Sequence, residues 1–266
     1  MTVELPAIVD ATSLRSLDGV LLADVRWYLD GTDGHGAFIA GHRPGARWVD
    51  LDRWLASPAT IVDGRHPFPS AEVFAEGMRA IGLSDGQPLV AYDDRLGVVA
   101  SRLVWMLRIL GHPAALLDAT WPPDRIETGE RQVEVGTFTA RPWPTDRLVG
   151  ADGVLAAQAA GTTVVDARSS DRYRGETEPI DARAGHVPGA INLPFADNLV
   201  DGRFRSAAEL RARFEGVGDS PIVYCGSGVS ACHDLLAMES AGIDGRLYPG
   251  SWSQWSADSA RGIATA

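Results

Sequence analysis

The sequence predicts an α/β fold built from two copies of one domain, each a parallel sheet flanked by helices. Three observations predict it. First, segments of the first half recur in the second in the same order. Leu21-Leu22-Ala23-Asp24-Val25-Arg26 is answered by Thr163-Val164-Val165-Asp166-Ala167-Arg168, and Gly41-His42-Arg43-Pro44-Gly45-Ala46 by Gly185-His186-Val187-Pro188-Gly189-Ala190. Pro88-Leu89-Val90 ahead of Tyr92 is answered by Pro221-Ile222-Val223 ahead of Cys225. Second, short apolar β-type runs alternate with helical patterns in both halves, the order that gives parallel strands with crossover helices. Third, the stretch between the halves, from Trp121-Pro122-Pro123 to Arg141-Pro142-Trp143-Pro144, is rich in proline and turn formers and reads as a connector.

In chain order, helical patterns cover 71–81 and 98–110, the latter stopped by Gly111, after which the chain enters the connector. The second half opens with a short helix over 150–160 and has further helical patterns over 206–214 and 230–241, the last stopped by Gly242. The expected boundaries are a first domain over 1–125, a linker over 126–147 and a second domain over 148–266. The small, polar residues 256–266 read as a loosely ordered tail.

Composition narrows the function. A hydrophobic share of 45% and a charged share of 22% over 266 residues are those of a globular protein. A net charge of −11 argues against nucleic acid or an anionic membrane as partner. No apolar run approaches the roughly 20 residues of a membrane span, and residues 1–25 lack a signal-peptide pattern, so the expected location is the cytoplasm. Two cysteines, Cys225 and Cys232, make neither a disulfide framework nor zinc spacing; the cysteine chemistry set out below calls for no metal or organic cofactor.

The chemistry concentrates in one stretch. Ile222-Val223-Tyr224 reads as a buried strand, Cys225-Gly226-Ser227-Gly228-Val229-Ser230 as a tight loop, and the run from Ala231 as a helix. A cysteine opening such a loop can face converging backbone N–H groups at the positive end of a helix, which favours the nucleophilic thiolate. A lone cysteine is otherwise a small buried hydrophobe, the reading that fits Cys232, inside the helix. An anionic substrate of so acidic a chain needs local arginines or backbone N–H groups.

The ordered set of Asp-x-Arg, Gly-His-x-Pro-Gly-Ala, a cysteine loop in the second copy only, and the closing Gly250-Ser251-Trp252-Ser253-Gln254-Trp255 resembles the two-domain rhodanese family across nearly the whole chain. The first copy has Tyr92-Asp93-Asp94-Arg95-Leu96-Gly97 where the second has its cysteine loop, so the resemblance makes it a non-catalytic partner. The uncharged loop is similar to the Cys-Gly-Ser-Gly-Val-Thr loop of 3-mercaptopyruvate sulfurtransferases, with Ser230 for threonine. Thiosulfate enzymes of the mammalian type place basic residues there instead.

By that resemblance Cys225 carries the sulfur, and the backbone of Gly226, Gly228, Val229 and Ser230 stabilises it. Arg172 holds the anionic end of a small sulfur donor. The family's second arginine is missing from Glu178-Pro179-Ile180-Asp181, with Arg183 as its nearest substitute. A Ser–His–Asp arrangement would fall on Ser227, His42 and Asp33, although His42 shares its repeat position with the structural His186. The acceptor would be a small thiol or a thioredoxin-like protein. Thiosulfate as donor is the nearest alternative, and a passive sulfur carrier is a third. A phosphatase would need arginine closing Cys-x5-Arg, and position 231 is alanine.

Overall fold

A computed structural model describes residues 5–265. It divides into two compact units, Met1–Ser57 with Pro69–Trp143, and Pro58–Phe68 with Pro144–Ala266. Residues 126–143 of the expected linker are therefore counted with the first unit, and Pro58–Phe68 with the second.

The first unit runs β1 (Ile8–Asp10), α1 (Ala11–Arg15), β2 (Leu21–Asp24), α2 (Gly34–Ala40), β3 (Arg47–Trp48), a π-helical turn at Leu51–Leu55, α3 (Ala71–Ala80), β4 (Leu89–Tyr92), α4 (Ala100–Ile109) and β5 (Ala114–Asp118). Its strands form a parallel sheet in the order β1-β5-β4-β2-β3. The second unit runs α5 (Ala151–Ala159), β6 (Val164–Asp166), α6 (Ser170–Arg174), β7 (Ile191–Asn192), β8 (Leu199–Val200), β9 (Arg203–Phe204), α7 (Ala207–Arg213), β10 (Ile222–Tyr224), α8 (Ala231–Ser240), β11 (Arg246–Leu247) and α9 (Ser251–Ala257). Its parallel sheet has the order β11-β10-β6-β7, with β8 and β9 as a separate antiparallel pair. Leu148 adds a parallel bridge to Leu247 where β1 stands beside β5 in the first unit, so both units share one strand order.

Local sequence explains the elements. The central strands β4 and β10 are apolar and buried at every position, as in parallel sheets covered on both faces. Residues Ala100 to Leu107 of α4 and Ala231 to Met238 of α8 are all buried, so each helix lies in the interior of its unit. Ser206 and Glu209 close a capping box at the start of α7, a device that contributes about 1 kcal/mol. Trp252, Trp255, Tyr224 and Tyr248 form one buried cluster with Val154 and Val164.

The duplication extends to single hydrogen bonds. Arg26 binds both oxygens of Asp24 and the Gly41 carbonyl, as Arg168 binds Asp166 and the Gly185 carbonyl. Tyr92 Oη accepts from Arg43 N at 2.8 Å and Tyr224 Oη from Val187 N at 3.1 Å. His42 Nδ1 lies 2.9 Å from the Phe38 carbonyl, its ring stacked on Phe38. His186 Nδ1 lies 2.7 Å from the Tyr173 carbonyl, its ring stacked on Tyr173.

Register corrects the repeat by one residue. Tyr92 pairs with Asp24 and Tyr224 with Asp166, so the counterpart of Cys225 is Asp93, not Tyr92. The tail is also better held than its composition suggests. Ser256 and Ala257 belong to α9, Ala264 bridges His186 in both directions, and Ile263 packs on the core.

Candidate active site

Cys225 follows β10, the strand between β11 and β6, and is 1% exposed. The loop folds back on it: Gly228 N–H donates to Cys225 Sγ at 3.1 Å. Gly228 has a φ of +73°, a left-handed conformation that costs glycine little and other residues strain. The start of α9 fixes the loop's other side. Trp252 N–H donates to the Cys225 carbonyl and Ser253 N–H to the Gly226 carbonyl, both at 2.9 Å, while Cys225 N–H donates to Ser251 Oγ at 3.2 Å. The closing Gly-Ser-Trp motif thus holds the loop by its backbone. Within α8, Cys232 Sγ lies 3.4 Å from the Gly228 carbonyl, to which it donates, consistent with a core residue.

The corresponding loop of the first unit shows what such a turn binds. Asp93 takes the cysteine's place, and its carboxylate accepts from the N–H groups of Arg95, Gly97, Val99 and Ala100 at 2.7–2.9 Å. Main-chain donors in that unit converge on a carboxyl group that the chain itself provides, and they oppose the upward push that burial gives it.

Segment Pro58–Phe68, which the sequence reading passed over, brings two side chains to the loop. His66 Nδ1 and Ser227 Oγ share a hydrogen bond of 2.8 Å, and the two residues are 7% and 8% exposed. The histidine beside Ser227 is therefore His66 rather than His42, whose Nδ1 is engaged within the first unit at Phe38. Asp33 is the N-cap of α2, accepting from Gly36 N–H at 2.9 Å. The segment is fastened by Arg65 N–H to Ser253 Oγ at 3.1 Å and by Gln254 Nε2 to the Val62 carbonyl at 2.6 Å. Gly64 has a φ of +90°, and a Cβ there would stand 2.7 Å from Ser253 Oγ, so both conformation and space require glycine. The available signal was Gly64-Arg65-His66-Pro67: polar residues between a turn former and a proline, with no partner in the repeat.

Charged side chains of alternating sign run from β6 to the loop. Asp166 pairs with Arg168, Arg168 with Glu178 Oε2, Glu178 Oε1 with Arg172, Arg172 with Asp181 Oδ2, and Asp181 Oδ1 with Arg65. Arg172, on α6, thereby reaches the loop: a methyl placed on Gly226 would lie 3.6 Å from Arg172 Nη1 and 2.9 Å from Arg65 Nη2. Burial pulls the Arg65 guanidinium below its ordinary range, only partly opposed by its attraction to Cys225. Arg183 is placed otherwise than expected. Its guanidinium donates to the carbonyls of Trp255, Ser256, Asp258 and Arg261, capping the end of α9, so its donors are spent on structure. The backbones of Val229 and Ser230 complete the turn into α8, whose N-cap is Ser230.

No group of three or more metal-ligating side chains is present among the described residues, and no described helix is long and apolar enough to cross a membrane.

Residues 151–258 match the family described as Rhodanese-like domain. A Mycobacterium tuberculosis chain assigned by name to the thiosulfate sulfurtransferases, SseB, is 39% identical over 95% of this chain and 93% of its own length. A Pseudomonas aeruginosa chain assigned by name to the 3-mercaptopyruvate sulfurtransferases is 40% identical over 92% of each. Among solved structures, the 3-mercaptopyruvate sulfurtransferase SseA of Escherichia coli superposes with a TM-score of 0.79 at 30% identity, over 93% of this chain and 99% of its own.

Proposed function

Since this chain belongs to the rhodanese family and is a sulfurtransferase of that kind, we propose that its donor is 3-mercaptopyruvate and that a persulfide on Cys225 carries the sulfur to a thiol. The observation that supports the reading best is the hydrogen bond between Ser227 and His66, two residues from a cysteine in an otherwise uncharged loop.

In the first half-reaction the Cys225 thiolate attacks the donor's thiol sulfur. The carbon–sulfur bond breaks, its electron pair goes to carbon, and pyruvate leaves as the enolate while Cys225 becomes the persulfide. The enolate needs a proton at carbon and the donor sulfur has one to give. Ser227, coupled to His66, moves it between them, a general acid–base role worth about 10²–10⁴-fold. Arg172 grips the donor's carboxylate with a charge-assisted hydrogen bond. Gly228 N–H, which donates to Cys225 Sγ, steadies the attacking and departing thiolate. In the second half-reaction the acceptor thiolate, from a small molecule or a thioredoxin-like protein, attacks the outer sulfur and the Cys225 thiolate departs.

Thiosulfate is the second reading, favoured by the name of the mycobacterial relative. Intact-protein mass spectrometry after exposure to each donor separates the two. One added sulfur on Cys225 from 3-mercaptopyruvate at low donor concentration is expected. Loading by thiosulfate alone reverses the choice of donor, and loading by neither refutes the persulfide.

A further inference from the structure

Taking Cys225 as a nucleophile toward an anionic donor, we propose that Arg65 is the second guanidinium of the donor site. With Arg172 it forms a paired receptor for a carboxylate poised over Gly226, and so sets the preference for carboxylate-bearing donors. Three observations converge on it. The Nη atoms of both arginines reach the space above Gly226, the residue next to the nucleophile, where a single methyl would crowd Arg65 Nη2 and touch Arg172 Nη1. The absence of a side chain there leaves a passage between the two guanidinium groups and the sulfur.

A single carboxylate, Asp181, accepts from both, Oδ1 from Arg65 and Oδ2 from Arg172, which fixes their relative orientation. The Asp181 side chain is 4% exposed, while those of Arg65 and Arg172 keep 26% and 17% exposure. The carboxylate is thus sealed behind and the cations face outward. Arg183, with its donors spent on α9, is not available for this work.

The test uses two alkylating agents of nearly equal size, iodoacetate and iodoacetamide, which differ in carrying or lacking a carboxylate. The Cys225 thiolate attacks the methylene carbon of each and displaces its iodide, forming a thioether without any sulfur transfer. In the wild type, iodoacetate gains on iodoacetamide relative to the same ratio for a free thiol. Arg65→Gln should lower that ratio by about 10- to 100-fold, the worth of a charge-assisted hydrogen bond, with the iodoacetamide rate within about threefold of wild type. Arg65→Lys, which keeps charge and loses the planar fork, should fall between, and it decides the matter if the glutamine variant does not fold. An unchanged ratio in both variants, or a parallel fall in both rates, overturns the proposal.

Steady-state kinetics add a second reading. Arg65→Gln should raise KM for 3-mercaptopyruvate more than it lowers kcat. Absence of sulfur loading from any donor would sink the functional reading and leave the alkylation ratio standing. A flat ratio with intact turnover would sink the role of Arg65 alone.

Discussion

Asp234, in the first turn of α8, permits a quantitative test of the interior beneath the cysteine loop. Its carboxyl is 0% exposed and receives one hydrogen bond, from Asn198 Nδ2 at 2.6 Å, while Oδ2 has no partner among the described residues. Burial pushes it up to about 8, against the opposing influence of Asn198 and of Arg213, whose Nε is bonded to Asn198 Oδ1. An aspartate in the unfolded chain ionises near 3.9. Because the folded value is the higher, the stabilisation is complete below pH ~4 and is lost as pH rises toward 8. The loss is about 1.4 kcal/mol per pH unit, or roughly 4 kcal/mol between pH 5 and pH 8.

Asparagine at 234 keeps the acceptor facing Asn198 and never ionises. Asp234→Asn should therefore be less stable than wild type by about 1–2 kcal/mol at pH 5, for an unpartnered amide N–H. At pH 8 it should be more stable by about 2–3 kcal/mol. Urea unfolding followed by tryptophan fluorescence at pH 5, 6.5 and 8 measures this, read as the variant-minus-wild-type difference so that the other titrating groups cancel. A difference constant within about 0.5 kcal/mol across that range would refute the reasoning.

Three further outcomes are expected. Ser227→Ala and His66→Ala should each lower kcat by about 10²–10³-fold, and the double variant should lose little more, since the two act as one unit; additive losses in stopped-flow assays would show independent roles. Arg183→Ala should lower thermal stability by about 2 kcal/mol, through the carbonyls it leaves unbonded, with KM for either donor unchanged. Asp93→Ala should cost roughly 3 kcal/mol in urea unfolding by vacating a ring of four N–H donors, with turnover per folded molecule kept.

The architecture was legible because it rests on local signals: apolar runs of strand length, helical patterns ended by Gly111 and Gly242, and segments repeated in order. The same signals misled by one residue at Tyr92, because proline and branched residues recur at neighbouring positions and only strand register sets Asp93 against Cys225. The tail was misread because its small residues are held by backbone pairing to His186, which composition does not encode.

By itself the sequence determined the duplication, the parallel sheets and the strand–loop–helix that presents Cys225, since each depends on neighbours within a few turns of chain. Tertiary structure decided which side chains meet that cysteine. Pro58–Phe68 brings His66 and Arg65 to a loop more than 150 residues away, while two residues that the family resemblance nominated are engaged elsewhere, His42 by the Phe38 carbonyl and Arg183 by carbonyls at the end of α9. The physical reason is range. Hydrogen bonds and charge pairing at the site are made across folded space, and no periodicity along the chain records them.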